Sequence, residues 1–299
     1  MSVKQCLVRI GCALVVAAPV QYACAFEGGV SPYPVSATGE IIAALPPVPG
    51  LFVLQQFNYS SSSGLYGNDG EKLPIPFHVS TAASVTRLLA SYPFELDGVR
   101  FYSQLIVPAV SLHLTVAGQS STQNGLSNLT VSPVIMQWHP TRDLAIATGL
   151  DVALESGSYS ASKASVAVGY LSLQPVFAVR YSQPDGIDIG LANRVLINQR
   201  NRETNYTSGN AYVGEFEAGW HFAHWKVGVV GAYLNQYSND VENGATVASG
   251  NRARSFGIGP SIVFDPGPFK INLNYQQGVY AANTTKSNNI WLNVVFRLM

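Results

Sequence analysis

The chain has 299 residues, of which only 11% are charged, and its 17 basic and 17 acidic side chains leave a formal net charge of zero. The sequence has no basic patch that suggests nucleic-acid binding and no run of like charges that suggests a solvated tail. All three cysteines, Cys6, Cys12 and Cys24, lie within the first 25 residues, so the rest of the chain has no thiol for a disulfide, a nucleophile or a metal site.

Residues 1–25 have the pattern of a secretory signal peptide. Lys4 and Arg9 form a basic start, an apolar run follows, and a small-x-small tripeptide at 23–25 precedes Phe26. The apolar run is too short to span about 30 Å of hydrocarbon as a helix. We therefore expect residues 1–25 to be removed on export.

The segment 26–50 cannot form a central strand, because proline donates no backbone hydrogen bond. It contains five prolines: Pro32, Pro34, Pro46, Pro47 and Pro49. Two interpretations are open, a plug folded into the lumen of a barrel or a periplasmic tail. Ile41, Ile42 and Leu45 favour the plug, because in a tail these apolar side chains would lie in water.

From residue 51 to residue 299 the chain alternates between large apolar and small or polar residues, as in 144–154, where Leu144, Ile146 and Leu150 share one parity. Successive side chains of a strand point to opposite faces, so each such run predicts a strand with one apolar face. The predicted strands are 51–60, 78–91, 99–116, 128–138, 144–154, 170–182, 187–198, 210–222, 226–238, 253–264, 269–280 and 289–298.

The connections between these strands are alternately short and long. The short ones are 93–98, 139–143, 184–186, 223–225 and 265–268, and the long ones, rich in Ser, Asn and Gly, are 61–77, 117–127, 155–169, 199–209, 239–252 and 281–288. Periplasmic turns and extracellular loops of an outer-membrane barrel follow this rule, whereas a soluble β-sandwich has no reason to follow it. The prediction is an all-β protein, a single transmembrane antiparallel β-barrel of about twelve strands, with both termini on the periplasmic side.

The inward-facing charged residues are candidates for a lumen site. We assign the apolar face of each strand to the outside of the barrel. The opposite assignment would place Arg180, Glu215 and Glu217 in lipid, where each charge costs up to about 2–4 kcal/mol near the midplane. These charges form either a constriction that selects the solute or a salt-bridged filling of a narrow lumen. The set is Asp151, Arg180, Asp188, Arg194, Glu215 and Glu217.

Tyrosines at the long-loop ends of strands are candidates for a solute entry site, because their rings offer stacking surfaces. They are Tyr59, Tyr170, Tyr206, Tyr212 and Tyr280. No catalytic constellation, metal site or cofactor motif accompanies them, since the five histidines lack zinc-ligand spacing and no cysteine is available. Ser111 and His113 lie on the same face of one predicted strand, as a catalytic Ser–His pair would, but this spacing arises easily by chance. We expect a protein that is not an enzyme.

An ordered set of short motifs covers the chain beyond the signal peptide. The motifs are Gly28–Pro34, Pro46–Phe52, Leu129–Pro133, Gln137–His139, Ala147–Val152, Gly157–Tyr159, Leu173–Pro175, Pro184–Gly186, Thr204–Gly209, Gly257–Pro260 and Trp291–Leu292. In this order they resemble the outer-membrane proteins involved in the meta-pathway of phenol degradation, a family of transporters of hydrophobic aromatic compounds. The chain departs from such barrels at its end, where Leu298 and Met299 replace a final aromatic residue.

The resemblance implies an outer-membrane channel for passive uptake of small hydrophobic or aromatic compounds, without a cofactor. Its implied partners are outer-membrane lipids and lipopolysaccharide, the barrel-assembly machinery and the apolar solute, and not nucleic acid. Two alternatives remain: a narrow channel for small polar or anionic solutes, and a barrel that recognises partners through its loops without transporting anything.

Overall fold

The computed structural model describes residues 25–299, so the predicted signal peptide lies, apart from Ala25, outside the described residues. Among the residues described, no helix has the length and apolar character needed to cross a membrane. The strands are β1 (Gly50–Ser62), β2 (Phe77–Leu96), β3 (Val99–Val116), β4 (Gln119–Leu126), β5 (Thr130–Thr141), β6 (Leu144–Ala153), β7 (Ser172–Ser182), β8 (Ile187–Asn198), β9 (Tyr206–Thr207), β10 (Ala211–Phe222), β11 (Trp225–Gln236), β12 (Val241–Glu242), β13 (Ala245–Thr246), β14 (Arg254–Phe264), β15 (Phe269–Ala282) and β16 (Asn288–Arg297).

Twelve of these strands close into one antiparallel barrel, which confirms the predicted fold class. Strand β1 pairs with the last strand, β16, from Phe52 opposite Arg297 to Ser61 opposite Asn288. Its other edge pairs with β2, and β2 pairs with β3, so no barrel strand is left with a free edge along its whole length. A closed barrel satisfies the backbone groups that lipid cannot.

The main difference from the predicted elements is an extra strand. Residues 117–127 were expected to be a loop because they are rich in Ser, Gln and Asn, but β4 pairs with the upper half of β3. Ala117 and Gly118 join the two strands with φ angles of 49° and 82°. Two consecutive positive φ values make the tight turn that suits the twist of a hairpin. The hairpin therefore extends the wall beyond the top of β5.

The predicted faces are clearest in β8. Ile187, Ile189 and Leu191 are 41–53% exposed on the outer surface, where lipid would cover them, and Asp188 between them is fully buried in the lumen. The same alternation places Glu215 and Glu217 of β10 inside the barrel. The apolar outer face and the buried charges therefore favour the same orientation of each strand in the barrel wall.

The segment 26–50 runs through the lumen from the long-loop end, near Phe26, to the short-turn end, where Gly50 begins β1. It contains two 3-10 turns, Glu27–Gly29 and Gly39–Ile41. Ile42 is 1% exposed and packs on a cluster of small inward-facing side chains, Ala145, Ala147, Ala178 and Ala192. Small residues on the wall leave the room that this segment occupies.

The position of Phe26 corrects one expectation. We predicted both termini of the exported chain at the short-turn end, and Met299 does lie there, next to Leu51. Phe26, the predicted first residue after cleavage, lies instead among the long loops, with its side chain in a buried cluster that includes Leu196 and Leu234. The segment finds hydrogen-bonding and apolar partners along the whole lumen, which places its first residue at the opposite end.

Candidate functional site

A cavity of about 1300 Å³ occupies the long-loop half of the lumen. The N-terminal segment, from Phe26 to Thr38, forms one side of it, and the loop at 159–167 reaches in from above. The remaining wall consists of inward-facing side chains from the barrel. A concave space of this size, closed on one side by the chain's own segment, is the best candidate for a solute site.

The wall contributed by β2 and β3 is mainly apolar, although Thr81 and Arg87 of β2 also line it. Both strands are long, with 20 and 18 residues, whereas about 9–11 residues suffice to span a bilayer. On the upper half of β3 the outward side chains are polar, such as Ser111 and His113, which suits a hairpin that rises beyond the hydrocarbon. The inward side chains of β3 that line the cavity are Ile106, Pro108, Val110, Leu112, Leu114 and Val116.

The opposite side of the cavity carries charge, paired midway down the lumen. Arg194 Nη1 donates to Asp151 Oδ2 at 2.7 Å and to the Gln174 side chain at 2.9 Å, and its guanidinium lies 4.1 Å above the ring of Tyr33. The Tyr33 hydroxyl donates to Glu215. A buried arginine between a carboxylate and an aromatic face keeps its charge because both contacts favour the cation.

A second charged cluster lies nearer the short turns. Arg180 Nε donates to Asp188 Oδ1 at 2.8 Å and lies 3.2 Å from Glu217 Oε1. Lys226 Nζ lies 3.0 Å from Glu217 Oε2 and 3.3 Å from Asp188 Oδ2, and it also donates to Glu40 of the N-terminal segment. The segment is therefore tied to the wall by a buried ion pair as well as by apolar contacts.

The six predicted lumen residues all face inward and are buried, but they form two separate clusters rather than one ring. Arg180, Asp188 and Glu217 belong to the lower cluster, and Asp151 and Arg194 to the upper one. Glu215 makes no ion pair within the described residues and binds the hydroxyl of Tyr33 and the backbone N–H of Thr38. Whether either cluster selects a solute stays a prediction.

The lumen also contains charged residues that are absent from the predicted set, among them Arg87, Lys226 and Glu40. Lys226 follows the outward Trp225 and precedes the outward Val227, so its parity alone would have placed it inside. Arg87 gave no such signal, because β2 alternates weakly. Glu40 lies outside the strands, where no periodicity indicates which way a side chain faces.

The five predicted entry tyrosines do not form one site. Tyr206 and Tyr280 line the cavity, while Tyr170 is fully buried. Tyr59 and Tyr212 face outward, because the inward positions of their strands are taken by neighbours such as Asn58 and Val213. The prediction rested on position along the strand and ignored parity, which decides the face.

The long loops converge on the start of the N-terminal segment. The Glu27 carboxylate accepts hydrogen bonds from the Tyr159 hydroxyl at 3.0 Å, Asn201 Nδ2 at 2.8 Å and the Thr204 hydroxyl at 2.6 Å. Burial, together with the charge of Glu27, raises the pKa of Tyr159 to about 12, so its hydroxyl remains a donor. Within residues 25–299, no group of three His, Cys, Asp or Glu side chains is placed to hold a metal ion.

Comparisons with known proteins agree with this barrel. A family model described as "Putative MetA-pathway of phenol degradation" matches residues 62–294. The COG4313 outer membrane channel from Pseudomonas putida F1 is similar at a TM-score of 0.76 and 13% identity, over 84% of this chain and 96% of that one. At that identity the likeness establishes the fold alone.

Two further similarities are weaker. The β domain of the Bordetella autotransporter BrkA has a TM-score of 0.48 at 11% identity, over 84% of this chain and 100% of that one. A mutant of TodX, a monoaromatic hydrocarbon channel, has a TM-score of 0.47 at 10% identity, over 85% and 90%. No curated protein matches the chain.

Proposed function

The chain belongs to the family of the MetA pathway of phenol degradation, and from this premise we propose that it is an outer-membrane channel for the passive uptake of small hydrophobic or aromatic compounds. The observation that carries the proposal is the cavity of about 1300 Å³ with its apolar wall on β3. Water interacts weakly with such an apolar wall. An apolar solute that displaces this water is stabilised because its own apolar surface and that of the wall are both buried.

The polarity of the upper hairpin supports this role. In the membrane a barrel strand exposes apolar side chains outward, but the upper half of β3 exposes Ser111 and His113 and turns Val110, Leu112 and Leu114 inward. This reversal creates an apolar lining at the height where a solute arrives from outside. We propose that the solute leaves water there and descends to the N-terminal segment, which acts as a plug and must move before release.

The remaining assignments follow from the same proposal. An exterior belt such as Ile189, Leu191 and Trp220 would contact outer-membrane lipid and, at the outer leaflet, lipopolysaccharide. Insertion would depend on the barrel-assembly machinery. A cleaved signal peptide would deliver the chain to the periplasm, and the short turns would stay on that side, as in other outer-membrane barrels. The proposed passage is diffusion, so the protein would not be an enzyme and no cofactor takes part.

An uptake panel tests the proposal. Cells with and without the protein are given radiolabelled apolar aromatics and sugars, and we expect faster uptake of the aromatics alone when the protein is present. Replacing Leu114 with asparagine, which has the same branched shape but a polar end, should reduce aromatic uptake several-fold because the wall then holds water more strongly. Ser111→Asn, on the outer face of the same strand, is the matched control. Equal aromatic uptake with and without the barrel would refute the proposal.

One observation favours the second candidate function, a channel for small anions. Arg87 lines the cavity and donates to Gln104 Oε1 at 2.8 Å, and no carboxylate in the described part of the chain lies within 4 Å of its guanidinium. In planar bilayers this alternative predicts an anion current that Arg87→Gln lowers and that a bound solute blocks. Absence of both uptake and current would leave recognition through the loops as the remaining function.

A further inference from the structure

The first residue of the N-terminal segment lies against a buried carboxylate. The backbone nitrogen of Phe26 is 3.1 Å from Asp240 Oδ2. Phe26 is 3% exposed and Asp240 is fully buried. The two residues are 214 positions apart in the chain, so the contact joins the segment to the loop between β11 and β14.

Asp240 is surrounded by uncharged donors. Its Oδ1 accepts from Gly209 N–H at 2.7 Å and from Gln236 Nε2 at 2.6 Å, and its Oδ2 accepts from the Tyr206 hydroxyl at 2.8 Å and from Asn251 Nδ2 at 3.0 Å, besides Phe26. Between residues 25 and 299, no lysine, arginine or histidine side chain pairs with it. Burial raises the pKa of the Asp240 carboxyl although these hydrogen bonds oppose the shift. A buried carboxylate without a cation is unfavourable.

The sequence points to the same backbone position independently. The tripeptide 23–25 is a signal-peptidase pattern, and the bond it marks joins Ala25 to Phe26. The nitrogen that cleavage would release is the nitrogen that contacts Asp240. A new α-amino group has a pKa of about 8 and is charged at neutral pH. Processing would therefore supply the missing cation at the place where the carboxylate is buried.

We propose that cleavage of the Ala25–Phe26 bond creates an α-ammonium group that Asp240 binds as a buried ion pair. In the cleavage a signal peptidase adds water across the amide: the hydroxyl goes to the Ala25 carbonyl carbon, which leaves as a carboxylate, and protons go to the Phe26 nitrogen. The ion pair then locks the upper end of the N-terminal segment in the lumen. The lock is independent of which solute the channel takes.

The neighbourhood of Phe26 fits this role. Glu27 N–H donates to the Ser208 hydroxyl at 3.0 Å, and the Glu27 carboxylate collects the donors from the loops after β6 and β8. Glu27 and Asp240 are the acidic groups hydrogen-bonded at this end of the segment, where Tyr159 and Tyr206 are their titratable partners, and Glu203 and Glu242 lie in the neighbouring loops. An ammonium here would add a charge-assisted bond to the loop after β11, beside the bonds that the Glu27 carboxylate makes to the loops after β6 and β8.

Amine labelling of the protein purified from outer membranes tests the proposal. Mass spectrometry should find Phe26 as the first residue. Acetylation by a water-soluble reagent should then modify the native α-amine roughly tenfold or more slowly than the exposed Lys163, because a buried ammonium must lose its partner and its proton before it reacts. In urea this difference should vanish.

Two variants separate the ion pair from general packing. Asp240→Asn should restore fast labelling of the α-amine, whereas Asp69→Asn, in an exposed loop at the same end, should not. An alanine inserted before Phe26 moves the ammonium by about 3.8 Å while keeping the Phe26 amide, and it should also restore labelling. If Asp240→Asn fails to fold, the labelling rates of the α-amine in the insertion variant and in the parent protein still test the ion pair. A different first residue, or a parent α-amine that labels as fast as Lys163, would overturn the proposal.

Discussion

Replacing Lys226 with methionine is expected to destabilise the barrel by about 3–5 kcal/mol, because it leaves buried carboxylates without their cation. Lys226 is 1% exposed and pairs with Glu217, Asp188 and Glu40. Arg180 would then pair with Asp188 and Glu217, and His221 would contact Asp188, while Glu40 would lose its ion-pair partner. The measurement is the urea concentration at the midpoint of unfolding in detergent micelles, with unfolding monitored as the loss of barrel structure.

Lys270→Met is the matched control. Lys270 lies at the same end of the barrel and pairs with Asp265 at 2.9 Å, but both side chains are about a third exposed, so the expected loss is below about 1 kcal/mol. Adding Glu40→Gln to Lys226→Met should recover part of the stability, since one of the stranded carboxylates disappears. A Lys226→Met barrel as stable as its Lys270→Met counterpart would contradict the assigned ion-pair cluster.

Deleting residues 27–45 is expected to turn a nearly closed barrel into an open pore, with a several-fold larger single-channel conductance in planar bilayers. The segment fills the lumen and contributes the buried side chains of Tyr33, Glu40 and Ile42. Without it, water and ions occupy that space between the alanines of the wall. A twelve-stranded barrel emptied in this way is wide enough for small hydrated solutes.

A point substitution keeps this prediction testable if the shortened chain does not fold. Ile42→Asp places a charge among small apolar side chains and should release the lower part of the segment, which raises conductance in bursts. Val48→Asp, at an exposed position of the same segment, should leave conductance unchanged. Equal conductance of the parent, the deletion and Ile42→Asp would show that the segment does not limit passage.

The stability of the barrel depends on the N-terminal segment that closes its lumen. Glu40 neutralises Lys226 and Tyr33 satisfies Glu215, so the wall is complete only when the segment is in place. Withdrawing the whole segment would strand charge in the lumen at considerable cost. We therefore expect opening by a partial movement that keeps the Phe26 end and the Glu40–Lys226 pair in place and changes only the stretch between them, which borders the cavity.

The alternation of residue types along the chain is enough to predict the barrel, the antiparallel pairing of its successive strands and the face on which charge lies. A strand in lipid has only two parities, and the cost of a charge against acyl chains chooses between them. That is why Asp188 and Glu217 were placed inside, and why the errors occurred where alternation is weak, as in β2, or where parity was ignored, as for Tyr59.

Which groups meet across the lumen is visible only in the folded barrel. Glu40 and Lys226 are 186 positions apart, and Ser36 accepts a hydrogen bond from Trp291, 255 positions away. Such partners depend on how the strands tilt and stagger when the barrel closes and on the path of a segment without periodicity. No local pattern encodes either quantity, because both are set by the fit of the whole wall around the chain that fills it.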